Sequence, residues 1–342
     1  MILRTLLAAV FLMGSMTSLR AETAYAIRDL GPLWAEAQPG GTFAVNLSGE
    51  VVGQRSNRPF LYSNGATIDL DVTGYATDIN NMHQVVGVSS NQRAFLYEHG
   101  AKVDLGDLGH GGDVYANGIN DTGQIVGTAL NGTSAGFSRA FVYINGIMSN
   151  LGAVSGGSSY GFGINNAGDV VGDSDYRAFL YSRGSMTSIG TLGGTMSFAR
   201  AISDTGQIVG YSDIVGNGLR HAFLYQNGTL MDLTPSSLSE TFAYGINRFG
   251  QVVGTSSSGS AFLYDSGTAI DLNTLLPANA NWQLTNGADI NDYGQIAGAG
   301  FFNGEYHAFL LSPVPETAAS VLLTFGLTLL IVIMRRQRPR AN

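Results

Sequence analysis

The chain has 342 residues, enough for a large core, and 47 of them are glycine, which suits a fold with many tight turns. It has no cysteine, so disulfides are excluded and burial with chain closure must supply its stability. The formal charge is −8, and between residues 22 and 312 only 11 basic residues face 24 acidic ones, a balance that argues against a nucleic-acid partner.

Residues 1–21 read as a secretory signal peptide. Arg4 gives a short basic start, Leu6 to Met13 are apolar, and small residues precede a cut near Ala21. The next segment, "AYAIRDLG" from Ala24, is followed by seven copies of one nonapeptide. The clearest is "INDTGQIVG" from Ile119. The others are "VNLSGEVVG" from Val45, "INNMHQVVG" from Ile79, "INNAGDVVG" from Ile164, "ISDTGQIVG" from Ile202, "INRFGQVVG" from Ile246 and "INDYGQIAG" from Ile290. Spread over residues 22–312, seven copies give a period of about 42 residues, that of a propeller blade.

Each unit holds four short apolar runs. The first two flank the Asn-Asp-Thr-Gly turn, in which Asn caps a type I turn and Gly takes the left-handed conformation of a bulged hairpin. In the second copy that position is His83, where the left-handed backbone costs about 1 kcal/mol; this hairpin is expected to be the most irregular. The third run is "RAFVY" from Arg139 and its echoes at Pro59, Arg93, Arg177, His221, Ala261 and His307. Both faces of this strand are apolar, so both must be covered, as in blades packed between neighbours. A tight turn, often Asn-Gly, then leads to the fourth run.

Six fourth strands end at Leu70, Leu105, Leu151, Ile189, Leu233 and Leu272, and the seventh unit has none. The segment at Ala24 resembles one, "VDLGDLG" from Val103. The expected fold is therefore all-β: a seven-bladed β-propeller of four-stranded antiparallel blades, spanning residues 22–312 and closed by the N-terminal strand. An open β-solenoid is the alternative. On the tripeptides His221-Ala222-Phe223 and His307-Ala308-Phe309 the units resemble HAF repeats of exported bacterial proteins, a family that implies no particular chemistry.

Residues 318–334 form an apolar stretch without a charge, followed by Arg335, Arg336, Arg338 and Arg340. This reads as one C-terminal transmembrane helix with a cytoplasmic tail and everything before it outside. Val314, Pro315 and Glu316 stand just before it. The order Val-Pro-Glu, apolar helix, arginine cluster, across residues 313–342, resembles the PEP-CTERM sorting signal, with Thr317 where that family has a second proline. The resemblance implies an exosortase-type processing enzyme as partner, transient anchoring in the inner membrane and release to the cell surface or matrix, in the setting of exopolysaccharide and biofilm.

Little in the middle region reads as chemistry. The histidines (His83, His99, His110, His221 and His307) show no metal-ligand spacing, and His221 and His307 read as blade-edge hydrogen-bonding groups. Asp121, Asp204 and Asp292 exchange with Asn81, Asn166 and Leu47 at one turn position, which suits a turn residue better than a metal ligand. Asp69, Asp104, Asp232 and Asp271 recur at one level of the fourth strands and read as structural. No phosphate cradle, nucleophile elbow or cofactor signature is found, so no cofactor is expected. Trp34, Tyr115, Tyr160, Tyr211 and Trp282, placed on blade loops, are candidate ligand-stacking residues, with loop packing as the alternative. The expected function is a non-enzymatic binding or structural module at the cell surface, with extracellular polysaccharide as partner. An exported glycan-active enzyme with carboxylates at the channel mouth and a protein–protein adaptor are the rival readings.

Overall fold

The computed structural model describes residues 24–33, 43–109, 111–132, 136–216, 218–235, 238 and 240–314. The unit spanning residues 26–313 is built from seven four-stranded antiparallel sheets. Blades 1 to 6 take their strands in chain order, over residues 44–69, 74–104, 111–150, 159–188, 193–232 and 241–271. In blade 3 these are Gly111–Ile119, Ile125–Asn131, Arg139–Ile144 and Ile147–Asn150. Blade 7 differs in its outermost strand: its order is Trp282–Ile290, Ile296–Phe302, Glu305–Pro313 and then Tyr25–Pro32. The expected displaced strand is there, and it ends as the others do, with Leu30 buried like Leu70, Leu105, Leu151, Ile189, Leu233 and Leu272.

The ring closes between blades 7 and 1. Asn291 Nδ2 donates to the Asn46 carbonyl at 2.8 Å, and one core cluster joins Val45, Val51 and Phe60 to Ala297 and Leu310. An open solenoid has no such contact. The blades are held apart by the third-strand phenylalanines: Phe60, Phe95, Phe141, Phe179, Phe223 and Phe309 are fully buried. Each lies against the glycine that ends the repeated nonapeptide. A Cβ on Gly127 would lie 1.9 Å from the Tyr115 carbonyl oxygen and 2.7 Å from the Phe141 ring, so only glycine lets strands and ring come together.

The turn between the first two strands behaves as its chemistry requires. Asn120 N–H donates to the Gln124 carbonyl and Gly123 N–H to the Asn120 carbonyl, with Gly123 at φ 77°. The His83 hairpin is a correction: His83 takes φ 62° yet keeps the same two bonds, to and from Asn80, and is no more irregular than its neighbours. A second feature, absent from the sequence reading, is a β-bulge in the first strand of blades 2 to 7, just before the turn. It bends each inner strand and re-aims one side chain per blade.

The second unit includes residues 24, 25 and 314 of those described; in it Val314 N–H donates to the Ala24 carbonyl at 2.8 Å. Among the described residues no helix is long and apolar enough to cross a membrane. The expected signal peptide at 1–21 and membrane helix at 318–334 lie outside them.

Candidate functional site

The first strands of the seven blades are mutual neighbours around the axis, so their turns converge on one mouth. It is a cavity of about 200 Å³ lined by the first three residues of the repeat in every blade, Ile-Asn-x in five of them, Val45-Asn46-Leu47 in blade 1 and Ile202-Ser203-Asp204 in blade 5. Asn is at the first turn position in six copies because it does two jobs. The Asn120 Oδ1 accepts from the Thr122 and Gln124 backbone, fixing its own turn, while Nδ2 crosses to the Asn165 carbonyl of the next blade at 2.9 Å. The same crossing runs from Asn46 to Asn80, Asn80 to Asn120, Asn165 to Ser203, Asn247 to Asn291 and Asn291 to Asn46. One joint lacks it, because Ser203 is too short to reach blade 6.

The second turn position forms an outer ring. Asp121 Oδ1 accepts the Asn81 N–H at 2.8 Å, Asp204 Oδ1 the Asn166 N–H at 2.9 Å, and Asp292 Oδ1 the Arg248 N–H at 2.9 Å. Asn166 Nδ2 bridges Asp121 and Asp204, at 3.0 and 2.9 Å. Every carboxylate of this ring is thus an acceptor for a neighbouring blade. The sequence reading of these aspartates as turn residues holds, with inter-blade bonding as the added function.

Two further carboxylates stand one residue inside the Ile of the repeat. Asp78 accepts from Ile79 of its own blade and Ile119 of the next, both at 2.8 Å. Asp289 accepts from Ile290 and from Val45 across the closing joint, at 2.8 and 2.9 Å. Both residues are half-buried. Burial, and then the charge of Asp289, pushes the Asp78 carboxyl up to about 8 despite the two backbone donors. Burial also raises Asp289, against the bonds from Val45 and Ile290.

The structure brings together one Ser, Glu and His that are apart in sequence. Glu50 accepts from Ser63 Oγ at 2.6 Å and from Asn46 Nδ2 at 2.7 Å, and pairs with His83 Nδ1 at 2.6 Å. Burial pushes the Glu50 carboxyl up, but the bonds from Ser63, His83 and Asn46 outweigh it and hold it below its ordinary value. The carboxylate sits between the hydroxyl and the imidazole, so Ser63 bonds to Glu50 rather than to His83, and the order is not that of a Ser-His-acid triad. Among the described residues no three His, Asp or Glu side chains gather as metal ligands.

His221 and His307 bond across the blade edge, His221 Nδ1 to Asp232 at 2.7 Å and His307 Nδ1 to Asp29 at 2.8 Å. The fourth-strand acids are explained by the bend that follows them. Asp29, Asp104, Asp232 and Asp271 each accept from the backbone N–H two residues on, as do Asn150 and Ser188.

The four stacking candidates among the described residues lie in strands, not on loops. Tyr115 and Tyr160 lie in the first strands of blades 3 and 4, and Tyr211 in the second strand of blade 5. Tyr211 is buried, with ring centroids of Phe198 and Phe242 each 5.1 Å away and the Arg200 guanidinium 5.2 Å from its ring. That is packing, not an open platform. Trp282 opens the first strand of blade 7 and is half-buried. Trp34, His110, Pro315, Glu316, Arg335 and Arg336 lie outside the described residues; Val314 is exposed. Phe162, Arg200 and Tyr244, re-aimed by the bulges, were missed in the sequence. Only the spacing of the preceding alanine or glycine to Ile-Asn could have hinted at them.

No protein-family profile matches the chain, and no curated protein matches it in sequence. Solved structures do resemble it. YCF48 bound to D1 peptide has a TM-score of 0.56 at 10% identity, over 87% of this chain and 98% of that one. The extracellular domain of BT4673 from B. thetaiotaomicron has a TM-score of 0.53 at 11% identity, over 82% of this chain. The chain spans only 39% of that relative's length. At such identities the likeness establishes a fold and nothing finer: this chain is a seven-bladed, four-stranded β-propeller.

Proposed function

We propose that the chain is an exported, non-enzymatic propeller, tethered through residues 318–334 and released by an exosortase-type enzyme to bind or organise extracellular polysaccharide. The observation that carries the non-enzymatic half is the mouth itself. Asp121, Asp204 and Asp292 each accept a backbone N–H of the neighbouring blade, and Asp78 and Asp289 each accept two. Carboxylates used this way cross-link blades, and that use supports a binding or structural module. Support for the exported half comes from the leader and the Val314-Pro315-Glu316 layout.

The test has two arms. Fractionation of producing cells should find the propeller outside the cytoplasm, and replacing Pro315 and Glu316 with alanine should trap it in the membrane; unchanged release would overturn the sorting claim. A glycan array with the purified protein should show retention without turnover. Release of reducing ends would move the reading to the glycan-active enzyme, and uniform silence would move it to the protein–protein adaptor.

A further inference from the structure

The mouth has two unlike halves. The third residue of each turn occupies an equivalent place round it, because in six blades its N–H donates to the side-chain oxygen of the Asn that begins the turn, at 3.0 or 3.1 Å. In blades 6, 7 and 2 this residue is Phe249, Tyr293 and Met82, exposed by 64%, 67% and 59%. Blade 1 has Ser48 there, and Leu47 beside it is 38% exposed. Blades 6, 7, 1 and 2 are consecutive in the closed ring, so the four apolar side chains form one arc. Blades 3, 4 and 5 carry Thr122, Ala167 and Thr205 instead.

The charges differ in the same way. In the apolar half Arg248 lies 3.5 Å from Asp292, with its guanidinium 4.8 Å from the Phe249 ring, and His83 is bonded to Glu50. In the other half two carboxylates, Asp121 and Asp204, are joined through the Asn166 amide. The chain also leaves blade 7 on this face. Gln295, next to the turn, donates from Nε2 to Ser312 Oγ at 3.2 Å, and the strand ends at Pro313. The apolar stretch that starts at residue 318 is five residues further on. Five residues of fully extended chain span at most about 18 Å.

We propose that the apolar half of the mouth docks on the lipid bilayer that holds residues 318–334. The proposal deepens the tether reading above and rests on it. An exposed apolar arc of this size marks a contact surface. Phe, Tyr, Leu and Met suit the boundary between headgroups and acyl chains. A tether this short brings the mouth face to the lipid, and the arc is centred on the joint of blades 7 and 1, beside the strand from which the tether departs. Paired charges in the docking half and carboxylates in the other give no attraction to anionic lipid, so burial of apolar surface drives the contact.

The chain has no cysteine, so a single fluorophore can be placed through Ser48→Cys in the apolar half or Ala167→Cys in the other, both at exposed turn positions. The labelled full chain is reconstituted in phosphatidylcholine vesicles with and without bromine on the acyl chains, and its resistance to alkaline carbonate reports the tether. Bromolipid should quench the Ser48 label several-fold more than the Ala167 label. Adding Leu47→Ser, Phe249→Ser and Tyr293→Ser, all at exposed positions, should abolish that difference. Equal quenching of the two labels in carbonate-resistant chain overturns the docking while the tether stands, and so does a difference that survives the three serines. Extraction by carbonate overturns the tether reading: the docking stands if the Ser48 label is still the more quenched, and falls with the tether if it is not. A Ser48 signal that follows protein concentration instead of bromolipid assigns the arc to a second copy of the chain and overturns the lipid assignment.

Discussion

His307 Nδ1 and Asp29 Oδ1 are bonded at 2.8 Å although 278 residues separate them. The same bond joins His221 to Asp232 inside blade 5, where the two lie only 11 residues apart. The N-terminal strand has therefore taken over, group by group, what a fourth strand does elsewhere in the ring. Asp29 Oδ1 also accepts the Gly31 N–H that shapes the exit from this strand. Asp29→Ala should cost about 1–2 kcal/mol of stability, while Asp29→Asn, which keeps the accepting oxygen, should cost less than about 1 kcal/mol. Equal losses in the two variants, by denaturant titration, would show that charge rather than the acceptor matters.

The ring of asparagines has one gap, at Ser203. Ser203→Asn should let Nδ2 reach the Asn247 carbonyl and raise stability by about 0.5–1 kcal/mol. Asn120→Ala removes both the turn cap and the bond to Asn165, and should cost about 2 kcal/mol. Urea midpoints of the two variants check this; a destabilised Ser203→Asn protein would mean that the joint between blades 5 and 6 is shaped differently.

Asp78 gives the fold a pH signature. Its carboxyl, raised to about 8 by burial and by Asp289, binds a proton more tightly in the folded chain than in the unfolded one. Its contribution is then fully present below about pH 4, the ordinary carboxylate value, and is lost as pH rises through 8. Asp78→Asn should flatten the decline of stability between pH 5 and pH 9. If parent and variant lose stability in parallel over that range, Asp78 is not the group responsible.

His83 and Glu50 form a matched exchange. In blade 7 Gln295 lies over Gly49, and in blade 3 Gln124 lies over Gly168, whereas at the joint of blades 1 and 2 the pair is Glu50 and His83. His83→Gly relieves a left-handed backbone at the loss of one hydrogen bond, two terms of about 1 kcal/mol that nearly cancel. Adding Glu50→Gln should recover stability that Glu50→Gln alone loses. Additive single and double variants would remove the coupling.

These particulars show what the sequence could and could not convey. The blade count, the turn chemistry and the strand at Tyr25–Pro32 were legible because they depend on local residue types: Asn and Gly in turns, Phe and Ala in strands, Asp-Leu at strand ends. The bulges were not, because Thr77, Asn117, Phe162, Arg200, Tyr244 and Ala288 have nothing in common but a backbone register. Asp78 and Asp289 looked like any other aspartate until the ring placed them inside it. Trp282 was visible as an aromatic, but its packing depends on Phe302, His307 and Phe309 from two other strands. Tyr211 had the same appearance in sequence and is buried.

The thermal midpoint of the protein lacking residues 25–32, set beside that of the intact chain, bears most directly on whether the two ends of the polypeptide share one sheet. Loss of the outermost strand of blade 7 uncovers Leu310 and strands His307, so the midpoint should fall by at least about 10 °C. An unchanged midpoint would contradict closure by the N-terminal strand.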